Sequence, residues 1–439
     1  MEMEINKKRL FIASCLALLV TSLTFAVRAK IEGVFGAEYG LSKEEIGWAF
    51  GPAFWGFTIA MFIGGLLIDI VKTRSIVWLA FFTHLIGIVL LLMAKDKTML
   101  FIANVFIGLG NGSVEAACNP LVATIHSDKK TTMLNRFHVW FPGGIVIGGL
   151  LSTLLMDYMD LSWHVLVGLL FIPLAIYGFL FFGQKIPETE RVATGVSYKD
   201  MLKNVGAPYT ILVAVFLMIL MASFPGLIAL DFSSSTPYIV LGAILVFVIL
   251  ETKALNKVSL IFPFLLFCML LTASSELGTN QWINALLENN GVNPMLILVM
   301  VTGIMAVGRF FAGAFIHRLN PTGVLLASAV LATAGLYWMS IASGGTETLI
   351  AAVVFAFGVC YFWPTMIGVT SEYVPKSGAL GLSIMGGAGM AATSLVLPIM
   401  GKSIETAGPQ ATLGYMTILP AILIGCFVVL LLMVKKNHS

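Results

Sequence analysis

Long apolar runs follow one another along the whole chain, and short polar breaks separate them. Windows of about 19 residues place membrane spans near 10–31, 46–70, 76–94, 98–125, 138–158, 163–183, 208–229, 236–252, 258–286, 293–316, 321–342, 347–371, 378–402 and 411–434. Each run approaches or exceeds the ~20 apolar residues that a helix needs to cross a bilayer. The pattern predicts an all-α polytopic membrane protein with about 14 transmembrane helices.

The composition supports a protein embedded in lipid. Of the 439 residues, 59% are hydrophobic and 11% are charged, whereas soluble domains carry about 25% charged residues. The chain has no P-loop, no HExxH pair, no nucleophile elbow and no CxxC spacing. We therefore expect no enzyme, no metal site, no cofactor beyond a coupling ion and no nucleic acid partner.

The longest polar break divides the spans into groups. It reads GQKIPETERVATGVSYKDMLKN, covers 183–204 and carries charges of both signs. Six spans precede it, two spans poor in polar residues follow it, and six more complete the chain. We expect an N-terminal six-helix bundle over 1–183, a cytoplasmic linker over 184–207, an extra transmembrane hairpin over 208–257 and a C-terminal six-helix bundle over 258–439.

The cations in the polar breaks predict the orientation. With these spans they fall on one side of the membrane, which the positive-inside rule assigns to the cytoplasm together with both termini. We expect a multi-pass protein, monomeric, in the inner membrane of the cell. The cations include Lys7, Lys8, Arg9, Lys72, Arg74, Lys129, Lys130, Arg136, Lys185, Arg191, Arg318 and Lys376.

The two groups of six spans are weakly similar to each other. The second span ends in GGLLIDIVKTR, with Gly65 and Asp69 four residues apart. Its counterpart ends in GRFFAGAFIHRLNP, with Gly313 and His317 at the same spacing. Internal repeats of this kind are typical of secondary transporters.

Three stretches resemble a known family. GGLLIDIVKTR, with Gly65, Asp69, Lys72 and Arg74 in place, resembles the loop signature between the second and third helices of the major facilitator superfamily. VEAACNP and GRFFAGAF resemble the fourth and eighth helices of its fucose permease branch, the sugar and cation symporters. FGVCYFWPTMIGVTSEYVPKSGALGLSIMGGAGM is similar to the tenth and eleventh helices of bacterial sugar permease-like relatives.

The resemblance implies an alternating-access carrier in which twelve helices form two bundles. It also implies that Glu115 belongs to the proton and sugar site and that His138 lines the sugar cavity. The first helix departs from the family pattern, because TFAVRAKIEG places Arg28 and Glu32 where the fucose permease has an amide-rich segment and an aspartate. Glu32 is the counterpart of that aspartate and a second candidate for ion coupling.

Two spans carry a carboxylate flanked by amides. Ionised side chains at a bilayer centre cost about 2.5–3.5 kcal/mol on insertion scales, so an embedded one is a candidate for function. Asn111, Glu115 and Asn119 are spaced by four residues and form one row on a helix. Glu276, Asn280 and Asn284 repeat this spacing in the second group of spans. Each bundle therefore contributes one such helix.

A sugar would find suitable partners beside Glu276. Asn280 and Gln281 offer donors and acceptors for hydroxyls, and Trp282 offers an aromatic face for a pyranose ring. Glu276 itself would accept a hydroxyl or hold Arg28 in place. The alternative is that these polar groups connect helices by hydrogen bonds.

Glu115 is the preferred carrier of the coupling proton or cation, because a desolvated carboxylate can take up and release a proton. The alternative is a permanent ion pair with Arg28. Arg28 stays charged and cannot shuttle protons, but it can bind a substrate carboxylate. An acidic sugar or another organic anion is therefore an alternative substrate class.

The remaining candidates fall into two groups. His138, Trp140 and Trp363 are candidates for lining the cavity, together with Asn111 and Asn119. At the cytoplasmic ends we expect gating contacts that break as the bundles move, formed by Asp69, Arg74, Arg309 and Glu372, with Arg309 paired to Glu372.

The sequence thus predicts uptake of a sugar or sugar derivative by a secondary active transporter that uses a proton or sodium gradient. The alternatives are transport of an acidic solute bound by Arg28, and a membrane sensor or channel without coupled transport.

Overall fold

The computed structural model describes residues 5–41, 49–206, 261–287 and 294–438, together with single positions at 45, 242, 246, 249, 250 and 253. Apart from single positions, the predicted extra hairpin at 208–257 lies outside the described residues. The described residues are almost entirely helical.

The N-terminal half begins with three long helices, α1 (Lys7–Tyr39), α2 (Pro52–Met93) and α3 (Lys97–Ile125). It continues through α4 (Lys130–Phe137), α5 (Trp140–Ser152), a π-helical turn at Thr153–Tyr158, α6 (Trp163–Gly168) and α7 (Phe171–Phe181). The linker contains two short helices, α8 (Glu190–Ala193) and α9 (Tyr198–Val205).

The C-terminal half opens with α10 (Ile261–Ala273), a π-helical turn at Ser274–Gly278, α11 (Thr279–Gln281) and α12 (Ile283–Leu287). It continues with α13 (Pro294–Phe310), α14 (Ala312–Ile341), α15 (Gly345–Val359), α16 (Phe362–Tyr373) and a 3₁₀ turn at Pro375–Ser377. It ends with α17 (Gly378–Ala407), α18 (Pro409–Met416) and α19 (Ile418–His438).

These helices suit a bilayer. Among the described residues, nine helical stretches are long and apolar enough to cross a membrane, and a shorter apolar helix covers Ile297–Phe310. One of the nine, α2, has 42 residues, and a straight helix of 42 residues would be about 63 Å long, twice the ~30 Å hydrocarbon core. The prediction of an all-α polytopic protein is confirmed, while the count of about 14 spans remains a prediction.

Two long helices turn sharply at one residue. Lys72 interrupts α2 with φ 71° and ψ 147°, and Asn320 interrupts α14 with φ 54° and ψ 167°. This backbone region is strained for any residue except glycine. The two corners fall in the breaks predicted after 46–70 and 293–316, in equivalent places of the two halves. The corner at Lys72 separates two spans within α2, whereas the corner at Asn320 separates the last turns of the span that α13 begins from the span that follows in α14.

Three helices form the centre of the molecule. Every residue of α3 from 110 to 123 is buried, as is every residue of α16 from 362 to 371. The first part of α17 is buried in the same way from 379 to 393. A polar side chain on these stretches therefore faces another helix or an internal cavity rather than lipid.

The two halves contact each other at one end, named here the basic end because Lys72, Lys129 and Lys376 lie there. The Thr131 backbone amide and hydroxyl donate to Glu372 Oε1 across the halves, at 3.1 and 2.5 Å.

Further contacts between the halves lie in the same region. Asn135 Nδ2 donates to Thr365 Oγ1 at 3.1 Å. A methyl group on Gly65 would come within 2.3 Å of the Ser383 Cβ, so these helices are in direct contact. The structure is therefore closed at the basic end.

Candidate functional site

A cavity of about 260 Å³ lies between the two halves. It opens away from the basic end: along α1 its lining changes from the buried Phe25 to the exposed Ala29, and across it Gln281 is exposed. The lining comprises Phe25, Ala26, Arg28, Ala29, Phe54, Phe141, Pro142, Ile145, Glu276, Leu277, Asn280, Gln281, Leu298, Thr302, Met305, Met390 and Thr393.

A second, much smaller cavity of about 20 Å³ adjoins the first. The two share Phe141, Glu276, Leu277 and Met390 as lining residues. The smaller cavity is also lined by Phe57, Glu115, His138, Arg309 and Trp363. It brings together the two carboxylates that the sequence placed on separate helices.

Glu276 lies in the π-helical turn Ser274–Gly278, a distortion that is frequent at functional sites. Its side chain is 3% exposed, and Oε1 accepts a hydrogen bond from Arg309 Nη2 at 2.9 Å. The other oxygen, Oε2, is buried without a hydrogen-bond partner. The expected contact with Arg28 is thus replaced by an ion pair with Arg309.

Glu115 belongs to a short chain of buried hydrogen bonds. Asn119 Nδ2 donates to Glu115 Oε2 at 3.0 Å, and Asn119 Oδ1 lies 3.0 Å from His138 Nε2. Because the amide oxygen can only accept, His138 carries its proton on Nε2. The expected alternative of an ion pair with Arg28 is not what the structure shows, since Asn119 satisfies this carboxylate.

Arg28 lies in the wall of the larger cavity. Its guanidinium carbon is 4.8 Å from the ring centre of Phe25 and 4.3 Å from that of Phe54. Stacking on two aromatic faces stabilises a cation away from bulk water. The predicted placement of Arg28 beside the cavity therefore agrees with the structure.

The polar residues that follow Glu276 point in two different directions, some into the larger cavity and one away from it. Asn280 and Gln281 line the larger cavity, and Asn280 Oδ1 is buried without a hydrogen-bond partner. Trp282 instead donates from Nε1 to the Leu397 carbonyl at 3.0 Å and packs against Gly401. Trp282 is thus not among the residues that line the larger cavity, because two residues after Asn280 the helix has turned by about 200°. Its sugar-stacking role stays a prediction.

Asn111 also faces away from the larger cavity. Its amide nitrogen donates to Thr24 Oγ1 at 3.1 Å, and its oxygen lies 2.8 Å from His84 Nε2. The opposite ring nitrogen of His84 lies 3.3 Å from the Tyr177 hydroxyl. This network was not predicted from the sequence, although a histidine inside the apolar run FFTHLIG is a signal for one.

The two tryptophan candidates differ in position. Trp363 is buried and lines the smaller cavity. Trp140 is half-buried, packs against the hydrophobic core, and accepts a hydrogen bond from Ser22 at its backbone carbonyl. Glu32 lies within α1, but its side chain is outside the described residues.

The expected pairing of Arg309 with Glu372 is wrong. Arg309 is 1% exposed and lies eleven residues, about 16 Å of helix, before the corner at Asn320. It is therefore in the centre of the molecule, where Glu276 is its partner. Glu372 lies at the end of α16 and accepts hydrogen bonds from Thr131.

Asp69 is bound by the linker. Thr189 Oγ1 and Arg191 Nε both donate to its carboxylate, which is 1% exposed. Arg74 is exposed and shares a surface cavity with Asp69. The partners of Asp69 thus belong to the linker and not to a neighbouring bundle helix, and the gating role of Asp69 and Arg74 stays a prediction.

Other linker contacts were missed by the sequence analysis. Lys130 Nζ is 2.7 Å from Glu190 Oε2 and 3.4 Å from the Ser371 carbonyl, so it joins the linker to both halves. Tyr198 donates to the Leu66 carbonyl at 2.7 Å. Burial raises the pKa of Tyr198, and the negative charge of Asp69 raises it further. The mixed charges of the linker were the available signal.

The fold and site together define a class of protein. Two helical halves enclose a cavity near the middle of the molecule, with mostly apolar walls and a few polar groups, which is open toward one end and closed at the other. That is the architecture of a transporter with alternating access. The sequence model of the Major Facilitator Superfamily matches residues 10–287, and the chain belongs to this family of transporters.

Solved structures agree with this assignment. The E. coli fucose:proton symporter FucP is 16% identical, with 95% of this chain and 98% of that chain covered and a TM-score of 0.68. The proton:xylose symporter XylE is 13% identical, with 95% and 94% covered and a TM-score of 0.69. The human organic anion transporter TETRAN is 13% identical, with 97% and 100% covered and a TM-score of 0.69.

At these identities the likeness establishes the fold. No curated protein sequence matches the chain.

Proposed function

We propose that the protein is a secondary active transporter that takes up a sugar or sugar derivative together with a proton or a sodium ion. The observation that carries this proposal is the pair of adjoining cavities between the two halves. One is large enough for a small solute, and the other contains Glu115 beside Glu276.

The chemistry of the larger cavity suits a hydroxyl-rich solute. Glu276, Asn280 and Gln281 supply acceptors and donors along one side. The aromatic rings of Phe54 and Phe141 supply apolar faces on the other side. Ligand sites in proteins combine mostly apolar walls with a few polar groups in this way.

Glu115 has the properties of a coupling group. It is 2% exposed, and a carboxylate removed from water is costly to keep charged. It lines the same small cavity as the Arg309–Glu276 ion pair. Because Glu276 also lines the larger cavity, the charge on Glu115 affects a group that would contact the solute. Binding of a proton or cation at Glu115 would thus be linked to binding of the solute.

The likeness to solved structures supports the same choice. Both FucP and XylE are named as symporters of a sugar with protons. Their resemblance to this chain concerns the fold, so the substrate is proposed from the cavity and not transferred from them.

A second candidate substrate is an acidic sugar or another organic anion. Arg28 favours it, because a guanidinium in the cavity wall can form paired hydrogen bonds with a carboxylate. TETRAN, which has the same fold, is named as an organic anion transporter.

For the orientation, we propose an inner-membrane protein with both termini in the cytoplasm, so that the cavity opens to the outside. The cations at the basic end support this orientation. A reporter enzyme fused to the C-terminus tests it, because activity that requires the outer compartment would contradict the proposal.

Thermal unfolding of the purified protein provides the first test. Neutral hexoses, amino sugars and acidic sugars are compared at two pH values, with and without sodium. A bound solute raises the apparent stability by mass action, by about 2.7 kcal/mol at one hundred times its Kd. Stabilisation by acidic sugars alone favours the anion candidate. No response to any sugar would contradict a sugar substrate of either kind, and organic anions that are not sugars would then be screened in the same way.

Uptake into proteoliposomes then separates coupled transport from a channel or sensor. A symporter accumulates the stabilising solute above its outside concentration only when a proton or sodium gradient is imposed. Equilibration without accumulation under every gradient would contradict the proposed coupling.

A further inference from the structure

Arg309 donates to three buried acceptors on different helices. Nη2 binds Glu276 Oε1 at 2.9 Å, Nε binds the Cys360 carbonyl at 2.7 Å, and Nη1 binds the His138 carbonyl at 3.2 Å. Glu276 and Cys360 belong to the same half as Arg309, whereas His138 belongs to the other half. One guanidinium therefore connects the two halves beside the smaller cavity.

Proline explains why both carbonyls accept from Arg309. In a helix the carbonyl of residue i accepts from the N–H of residue i+4. Four residues after His138 stands Pro142, and four residues after Cys360 stands Pro364. Because proline has no N–H, each carbonyl lacks its helical donor, and Arg309 supplies one to each.

The neighbouring backbone hydrogen bonds show that each proline removes a single bond from the helical pattern. Gly143 donates to the Val139 carbonyl at 3.0 Å, and Thr365 donates to the Tyr361 carbonyl at 3.1 Å. The helical pattern therefore resumes one residue later in both halves. The sequences HVWFP and CYFWP have the same arrangement of an acceptor followed by a proline.

We infer that Arg309 is a positioning residue that holds the halves together beside the cavity, and that Glu276 controls this contact. Glu276 faces the larger cavity and keeps one oxygen unpartnered. A donor from a solute, or a proton, on Glu276 weakens its attraction for Arg309. The guanidinium is then free to turn away from the His138 carbonyl, and the halves can separate.

The inference goes beyond the proposed function, because it holds whatever solute is carried. Its test therefore needs no solute, and a failed sugar screen leaves it unaffected. The two prolines provide a matched pair of variants: Pro142→Ala restores a donor for the carbonyl in the opposite half, and Pro364→Ala does the same within the half of Arg309.

The measurement is the distance between spin labels at Lys129→Cys and Lys376→Cys, two exposed positions at the basic end on opposite halves. The native cysteines of the described residues are buried or half-buried, so the added ones label selectively. The wild type should show mainly the short distance of the closed basic end. Thermal unfolding of each variant confirms that it is folded.

Pro142→Ala should raise the long-distance population roughly fivefold to tenfold, because the restored backbone N–H of residue 142 competes with Arg309 for the His138 carbonyl and weakens the contact between the halves. Pro364→Ala should leave the distribution close to that of the wild type. Equal distributions in Pro142→Ala and the wild type, or equal effects of both prolines, would overturn the inference.

Two further variants keep the test decisive should Pro142→Ala be unstable. Arg309→Lys retains the charge but not the three-way donor geometry, and it should also raise the long-distance population. Glu276→Gln neutralises the carboxylate at nearly constant size and should shift the population in the same direction. Wild-type distances in Arg309→Lys would remove the role of Arg309, and wild-type distances in Glu276→Gln would remove the control by Glu276.

Discussion

Glu276 and Arg309 form an ion pair whose side chains are 3% and 1% exposed, at 2.9 Å. Removing one member of such a pair leaves the other charge buried and alone. We predict that Glu276→Ala lowers the free energy of unfolding by about 3–5 kcal/mol. The measurement is unfolding of the purified protein in detergent.

The matched control for this pair is Lys30 with Asp157, which are 2.6 Å apart but 28% and 50% exposed. Asp157→Asn should cost less than about 1 kcal/mol, because water screens an exposed pair. The double variant Glu276→Leu/Arg309→Met should be far more stable than the sum of its single changes predicts. Equal costs at both pairs would contradict the importance of burial.

Glu115→Gln should abolish accumulation of solute driven by a gradient while leaving exchange of solute across the membrane. The amide keeps the size and a hydrogen-bonding group beside Asn119 but cannot take up a proton. Accumulation and exchange are measured in the same proteoliposomes. Glu405→Gln, which changes an exposed carboxylate, is the control, and normal accumulation by Glu115→Gln would show that another group couples transport.

Substitutions at Asn280 and Trp282 should have different effects, one on solute binding and the other on stability. Asn280→Ala removes a cavity acceptor and should weaken solute binding by roughly fivefold, the effect of losing about 1 kcal/mol. Trp282→Phe loses the hydrogen bond to Leu397 and should lower stability by about 1 kcal/mol with unchanged affinity. Titration calorimetry and thermal unfolding measure the two effects, and weaker binding in Trp282→Phe would restore its role at the solute.

Gly65→Val should prevent full closure of the basic end, because any side chain there overlaps Ser383. Overpacking typically costs about 1–3 kcal/mol, so the ratio of closed to open molecules should fall by a factor of about 5 to about 140. Distances between labels at positions 129 and 376 measure it. At Gly149 an added Cβ has no neighbour within 4 Å, so Gly149→Val should leave the distances unchanged.

Much of the fold could be predicted because the bilayer sets one length for every span. A run of about 20 apolar residues is visible without knowledge of any tertiary contact. The break at Lys72 was equally visible, because Lys72 and Arg74 are close together in the sequence and each charge is costly to place in hydrocarbon. The hairpin predicted at 208–257 rests on the same reasoning and stays a prediction.

The site was harder to predict because spacing gives only an approximate direction. Residues four apart differ by about 40° around a helix, so Asn111 and Asn119 differ by about 80°. That rotation is enough to turn Asn111 toward His84 while Asn119 stays with Glu115. Which cation meets which carboxylate depends on depth in the membrane, and the sequence carries no direct measure of depth for Arg309.

The two corners lie at the same distance from a glycine that contacts the other half. Gly65 stands seven residues before Lys72, and Gly313 stands seven residues before Asn320. Each glycine meets a hydroxyl-bearing residue of the opposite half. One inserted or deleted residue would rotate that meeting point by about 100° and separate the halves where they close. Closure at the basic end therefore depends on the same seven-residue register between glycine and corner in both halves.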